Sequence, residues 1–394
     1  MTAAWPQPSP DAALTPALSS AFTPEFDLLL GCCAESVDEC RQTEPPQNLD
    51  WGRFAQLAQR HGVVPLVYPR LAGMGPRLTR SLPDLRALYE ANARQGLWLT
   101  KELFRILDRL KQSGITALPY KGPVLAAMLY GNVTMRQFVD LDLLIHPADL
   151  PRVRPALAEL GYKPALSLTP REERAYLRSG YEYAFDGPRG ANLLEIKWQI
   201  LPRFYCVNFD FRDLFERAIV ETLGSGAVRT LSHEDLLLVL CVHAAKHAWM
   251  QLSWLCDIAS LARSKPLNWT VIGQRARQLR IQRIVAVTFL LAHRLLAAPL
   301  PQTVQQISQD DPAAEVVAQK ALSILADANE YDIEAPSYFR LMTQAREHWQ
   351  DRLRFLWRLA STPGVGEWSA IRLPGLFFPL YRVVRLARLA KRWL

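Results

Sequence analysis

Hydrophobic positions recur at steps of three and four from Glu25 to about Lys111, the period of helices with one apolar face. Phe26, Leu28, Leu29 and Leu30 open this run, Phe54, Leu57 and Ala58 continue it, and Leu97, Leu103, Ile106 and Leu110 close it. The period changes at Gly114. Residues 115–118 read as a short strand, and Lys121-Gly122-Pro123 starts a helix to about Tyr130, because proline suits a first helical turn. Residues 139–145 read as a strand, and residues 147–160 as a helix with Gly161 as its stop. Residues 181–185 and 192–200 read as two strands of a hairpin joined by Asp186-Gly187-Pro188-Arg189-Gly190. From Ser232 the chain is helical again, with Asp235 completing a variant capping box, a helix over residues 236–250, and further helices to about Ala328.

The pattern predicts an α+β fold with a mixed sheet between helical regions. Its divisions are an N-terminal segment 1–23, a helical region 24–112, the mixed core 113–222, a helical domain 223–330 and a helical extension 331–394. The first segment is rich in Pro, Ala, Ser and Thr and reads as disordered. It lacks a basic start, and prolines interrupt its apolar runs, so it is not a signal peptide. No apolar stretch approaches the ~18 residues of a membrane span.

Composition narrows the class. Of 394 residues, 49% are hydrophobic and 21% charged, the balance of a water-soluble globular chain large enough for more than one core. The net charge of +8 favours anionic partners such as nucleotides, nucleic acid or acidic headgroups. Six cysteines (Cys32, Cys33, Cys40, Cys206, Cys241, Cys256) form no CxxC pair, which fits scattered thiols in a reducing, cytoplasmic setting.

Candidate chemistry centres on Val139-Asp140-Leu141-Asp142-Leu143-Leu144-Ile145. Alternate strand residues share a face, so Asp140 and Asp142 stand together while Val139, Leu141 and Leu143 point the other way. Two carboxylates on one apolar element repel each other and resist desolvation, a cost that a divalent cation between them removes. Glu195, flanked by Leu193, Leu194 and Ile196, is the third candidate ligand. Three carboxylates can hold two divalent ions roughly 3.5–4 Å apart, the arrangement used for in-line displacement at phosphorus. Upstream, Lys121-Gly122 at a strand-to-helix turn offers backbone amides and an ammonium to a phosphate. Arg136, four residues before Asp140, is a candidate phosphate clamp.

Four segments together resemble the DNA polymerase β-like nucleotidyltransferase superfamily, and within it a bacterial family of uncharacterised nucleotidyltransferases. They are residues 118–126 (LPYKGPVLA), 135–145 (MRQFVDLDLLI), 194–198 (LEIKW) and the His243-Ala-Ala-Lys-His-Ala-Trp249 run leading into Leu255-Cys-Asp-Ile258. The lead-in from Trp51 to Leu66 is similar as well. The chain departs from the pattern at Pro123, where a small residue is usual, and at Lys197, where histidine is expected. The resemblance implies a polymerase β-like core with Asp140, Asp142 and Glu195 as metal ligands and catalytic carboxylates, and with Lys121 and Gly122 as the phosphate-binding turn. It implies an Mg²⁺ (or Mn²⁺) enzyme that moves a nucleoside monophosphate from an NTP to an acceptor, whether small molecule, protein or RNA. The alternatives are a non-catalytic nucleotide-binding regulator and a toxin-like enzyme modifying tRNA.

Each candidate has a plainer reading. Asp140 and Asp142 could be partly exposed strand residues, and Glu195 could pair with Arg189 or Arg203. His243 and His247, four apart on one helix, could hold zinc with Cys241 or Asp257 as a further ligand, but the Ala-Ala-Lys between them lacks the general-base Glu of a metalloprotease motif, so a helix lining the cleft or packing through buried imidazoles is preferred. Lys246 and His247 could reach nucleotide or acceptor. The basic amphipathic helix over residues 381–394 carries Arg382, Arg385, Arg388, Lys391 and Arg392 beside Val384, Leu386, Leu389 and Trp393. Docking on the parent domain is preferred for it over peripheral membrane or nucleic-acid contact.

Overall fold

A glycine in the left-handed conformation divides the helical entrance of the chain from its sheet. The computed structural model describes residues 22–34, 45–46, 49–75, 82–166, 168–327, 331–332, 335–362, 371, 373, 377 and 380–393. The disordered reading of the N-terminal segment thus falls, up to residue 21, outside the described residues, as does Cys40. Helices α1 (Pro24–Cys33), α2 (Trp51–Arg60) and α3 (Val64–Gly73) lead into the thirty-residue α4 (Pro83–Gln112). Leu99, Leu103, Ile106 and Leu110 form the buried stripe of α4, and Gly114 ends it at φ 66° with its N–H donating to Lys111 O.

After β1 (Ala117–Pro119) come α5 (Gly122–Tyr130), β2 (Leu141–Ile145), α6 (Leu150–Ala158) and β3 (Lys163–Pro164). The element expected over 147–160 is a 3₁₀ turn, Pro147–Asp149, followed by the shorter α6, which carries Pro151 in its first turn and Pro155 inside. Helix α7 (Pro170–Ser179) is held by a complete capping box of Thr169 and Glu172. The hairpin of β4 (Glu182–Gly187) and β5 (Gly190–Lys197) follows. Strand order in the sheet is β1-β2-β5-β4-β3, with β2 and β5 parallel and every other pair antiparallel. Helix α8 (Phe211–Glu216) and a second hairpin, β6 (Ile219–Leu223) with β7 (Gly226–Thr230), lead out of the core. Thr230 Oγ1 donates to Pro119 O at 2.6 Å and ties this hairpin to β1.

The sheet separates two apolar clusters. Leu141, Leu143, Ile145, Leu194 and Ile196 pack on the stripe of α4. Leu118 and Leu144 face the other way, toward the helices. Val139 lies outside β2 and is 66% exposed, so it takes no part in the apolar face expected of it. Strand pairing starts only at Leu141.

The remaining helices are α9 (His233–Lys246), α10 (Leu252–Ser264), α11 (Trp269–Leu279), α12 (Gln282–Leu296), α13 (Gln302–Asp310), α14 (Ala313–Ala326), α15 (Pro336–Gln344), α16 (Trp349–Ser361) and α17 (Tyr381–Trp393). Ser232 caps α9 by accepting from Asp235 N, and Asp235 in turn pairs with Arg217 and Arg275. The N-terminal helices α1 to α3 share one apolar core with α9, α10 and α12, although some 160 residues separate the two groups. Helix α17 lies on α16, where Arg385 donates to Leu359 O and stands over the Phe204 ring. Leu386 is exposed, and the expectations for Leu389, Lys391, Arg392 and Trp393 fall outside the described side chains. Among the described residues no helix is long and apolar enough to cross a membrane.

Candidate functional site

The parallel ladder sets Asp142 of β2 directly beside Glu195 of β5. Both side chains point away from the α4 core, because Leu141, Leu143, Leu194 and Ile196 take the opposite face. Asp140 sits just before the strand, where the chain turns in. One oxygen from each of Asp140, Asp142 and Glu195 lies within 4.8 Å of the others, and among the described residues this is the only such group of potential metal ligands. These are hard oxygen donors clustered on one side of the sheet, a donor chemistry that suits Mg²⁺ or Mn²⁺. Burial raises the Asp140 carboxyl, helped by Asp142. Burial likewise lifts Glu195 to about 7, with Glu182 and Asp142 adding to it against the pull of Lys197. Asp142 behaves in the opposite way: burial alone would raise it, but Lys121 and Lys197 outweigh that and hold it well below the carboxylate range.

Those two lysines approach from different elements. Lys121 is the residue before α5, in extended backbone, and its Nζ is 3.5 Å from Asp142 Oδ2 and 3.1 Å from His243 Nδ1. Gly122 takes φ 56°, a left-handed conformation that favours glycine, and a Cβ there would come into van der Waals contact with Asp140 O at 3.4 Å. Pro123 falls in the first helical turn of α5, where its missing N–H breaks no bond. Lys197 lies two residues along β5 from Glu195, on the same face. Its Nζ donates to Glu182 Oε2 and to Glu195 Oε2, each at 2.5 Å, and is 3.3 Å from Asp142 Oδ1. The ion-pair partner of Glu195 is therefore Lys197 and not Arg189 or Arg203. Tyr120 adds a hydroxyl 3.4 Å from Asp142 Oδ1.

Arg136 is buried and committed elsewhere. Its Nε donates to Asp257 Oδ2 on α10 at 2.9 Å, while Tyr130 OH donates to Asp257 Oδ1 at 2.9 Å. This triple joins α5, the segment leading into Asp140, and α10. Burial raises Asp257 against the pull of Arg136.

The end of α9 forms the wall opposite the carboxylates. The rings of His243, His247 and Trp254 lie with centroids 4.9–5.2 Å apart. Burial and the neighbouring Lys121 keep His243 neutral, and burial with Lys246 lowers His247 to about 3. Lys246 stands over the Tyr181 ring at 5.3 Å, and burial, then Lys197, lowers it to about 8. Beyond Lys246 the chain takes left-handed conformations at Ala248 (φ 52°) and Trp249 (φ 53°), which costs free energy for non-glycine residues. The fully buried Trp249 ring holds this bend, donating to Thr288 Oγ1 at 2.8 Å. On the far side of the bend His247 borders a cavity of about 1120 Å³, whose wall includes Arg53, Gln56 and Gln251.

Sequence reasoning missed Glu182, Tyr120 and Tyr181. Glu182 sits in the alternating Tyr181-Glu182-Tyr183-Ala184-Phe185, a signal for one polar strand face, but its pairing with Lys197 depends on the β4–β5 register.

Clustered carboxylates on a sheet face, with lysines and a glycine turn beside them, are the equipment of phosphoryl transfer, and the chain belongs to a nucleotidyltransferase family. The matching family model, described as uncharacterised nucleotidyltransferase, spans residues 47–297 and so takes in Lys121, Asp140, Asp142, Glu195 and the α9 wall. No curated protein and no solved structure matches the chain.

Proposed function

We propose that this protein transfers a nucleoside monophosphate from an NTP to an acceptor hydroxyl, with Mg²⁺ or Mn²⁺ held by Asp140, Asp142 and Glu195. The observation carrying this reading is the convergence of those three carboxylates within 4.8 Å in a chain of a nucleotidyltransferase family. A divalent ion there supplies Lewis-acid stabilisation of phosphate oxygens and eases deprotonation of the acceptor. Residues 113–222 serve as the polymerase β-like core, and the chain works in the cytoplasm on an acceptor that is a small molecule, a protein or an RNA.

The chain's own groups have distinct tasks. Lys121 and the amides at the start of α5 receive the anionic triphosphate, and Gly122 lets the phosphates approach the backbone. Arg136, expected as a clamp on the phosphates, acts through Asp257 by fixing the approach to Asp140 against α10. The acceptor oxygen bonds to the α-phosphorus as the bond to the β-phosphate's bridging oxygen breaks. Pyrophosphate leaves, and the acceptor proton passes to a triad carboxylate.

Incubation with each labelled NTP, Mg²⁺ or Mn²⁺ and a cell extract tests the reading. Label moves to an acceptor with the wild-type chain and not with the Asp140→Ala/Asp142→Ala double variant. Equal transfer by both proteins would refute it.

A further inference from the structure

We infer that Lys197 is a built-in cation of this centre, standing in for one of the two divalent ions a carboxylate triad can hold, so that the loaded site takes a single divalent ion. This rests on the metal-dependent reading above and adds a stoichiometry to it.

Geometry carries the inference. An ammonium has three N–H donors and no acceptor. Lys197 reaches three carboxylates: it donates to Glu182 Oε2 and Glu195 Oε2, each at 2.5 Å, and pairs with Asp142 Oδ1 at 3.3 Å. Two of these belong to the triad, and they are the pair set side by side by the β2–β5 register. The ammonium thus bridges Asp142 and Glu195 as a metal ion would. A second ion bridging the same two residues needs oxygens at about 2.0–2.1 Å. Those facing oxygens already hold a fixed positive charge, and a dication beside it is repelled.

Nor is Lys197 free to withdraw. Its side chain is 5% exposed, rooted in an interior strand, and anchored from outside the triad by Glu182, its direct partner across the β4–β5 ladder. This accounts for the fourth carboxylate: Glu182 holds the ammonium, so that the triad would hold one metal ion. Four acids, Asp140, Asp142, Glu182 and Glu195, then face Lys121, Lys197 and Lys246, so little negative charge remains to attract a second dication. Lys197 is a positioning residue, because it touches the ligand carboxylates and not the reacting atoms.

The test counts metal. The full-length protein is dialysed to equilibrium against saturating Mn²⁺ and inorganic tripolyphosphate, a surrogate for the NTP tail that needs no knowledge of the base, and bound manganese is measured per chain by elemental analysis. Wild type binds one Mn²⁺, and Lys197→Ala binds two. Two ions in wild type overturn the role of Lys197 while leaving the metal-dependent reading intact. One ion in both proteins overturns it as well. No bound ion in wild type overturns the metal-dependent reading itself. Thermal unfolding of Lys197→Met, which keeps the side-chain volume, gives a second readout. It melts below wild type without metal, and saturating Mn²⁺ raises its Tm by more than it raises that of wild type; equal gains count against the inference.

Discussion

Asp142 and Glu195 stand opposite each other across the parallel β2–β5 ladder, and Lys197, one row further along the same face, bridges their carboxylates. Asp142 is the most heavily used of the acids, since Lys121 and Tyr120 approach it too. Asp142→Ala therefore lowers nucleotidyl transfer by at least about a hundredfold, the rate equivalent of losing ~3 kcal/mol of transition-state stabilisation. It also destabilises the fold by about 3 kcal/mol, because two buried ammonium groups lose an anion. Initial rates and urea unfolding of the same preparation separate the two effects.

Gly122 holds a left-handed backbone, φ 56°, at the turn that faces Asp140 O. Gly122→Ala places a Cβ in that conformation, at a cost of about 1–2 kcal/mol. The helix start shifts away from the first aspartate, so the KM for the NTP rises more than kcat falls. Steady-state kinetics showing the reverse split would count against the phosphate-binding role of the turn.

The Arg136–Asp257 pair is buried, with side chains 9% and 1% exposed. Asp257→Asn alone costs about 3–5 kcal/mol by stranding the guanidinium. Arg136→Met/Asp257→Leu recovers part of that loss, since an apolar pair needs no desolvated charges although the buried Tyr130 hydroxyl loses its acceptor. Denaturant unfolding of the two singles and the double variant gives the coupling directly.

His61 is fully buried, with neither ring nitrogen hydrogen-bonded, and burial, with Arg60 beside it, lowers its pKa to about 4. The unfolded chain takes up this proton near pH 6.5, the folded one only near pH 4. Stability is therefore full above pH 6.5, falls as the pH drops toward 4, and then levels off for this group. The contribution is about 3 kcal/mol at ~1.4 kcal/mol per pH unit. His61→Leu flattens that limb of the stability profile; an unchanged slope would assign the acid sensitivity to other groups.

How much of this was legible in the sequence follows from how far apart the partners lie. Asp140, Asp142 and Glu195 stand out locally, as acids in aliphatic strands, and Ser232 with Asp235 marks its helix start within three residues. The alternation around Asp142 does not mark the first paired residue, so Val139 was assigned to the apolar face it does not join. Arg136 looked like a free clamp because Asp257, which claims it, lies 121 residues downstream. Lys197 next but one to Glu195 is visible, but its grip on Glu182 and Asp142 follows from strand order and register, which no local pattern encodes.

The core shared by the two ends of the chain bears on how the enzyme can be handled. Helix α1 precedes the family-matched stretch 47–297, yet Phe26, Leu29 and Leu30 are buried in the core that holds the α9 wall in place, and Ala318, Ala321 and Leu325 of α14, beyond its end, are buried in the same core. Trimming to the matched stretch would strip both helices and bare a wide apolar wall, an invitation to aggregate. The smallest unit worth expressing is therefore longer than the stretch that defines the family.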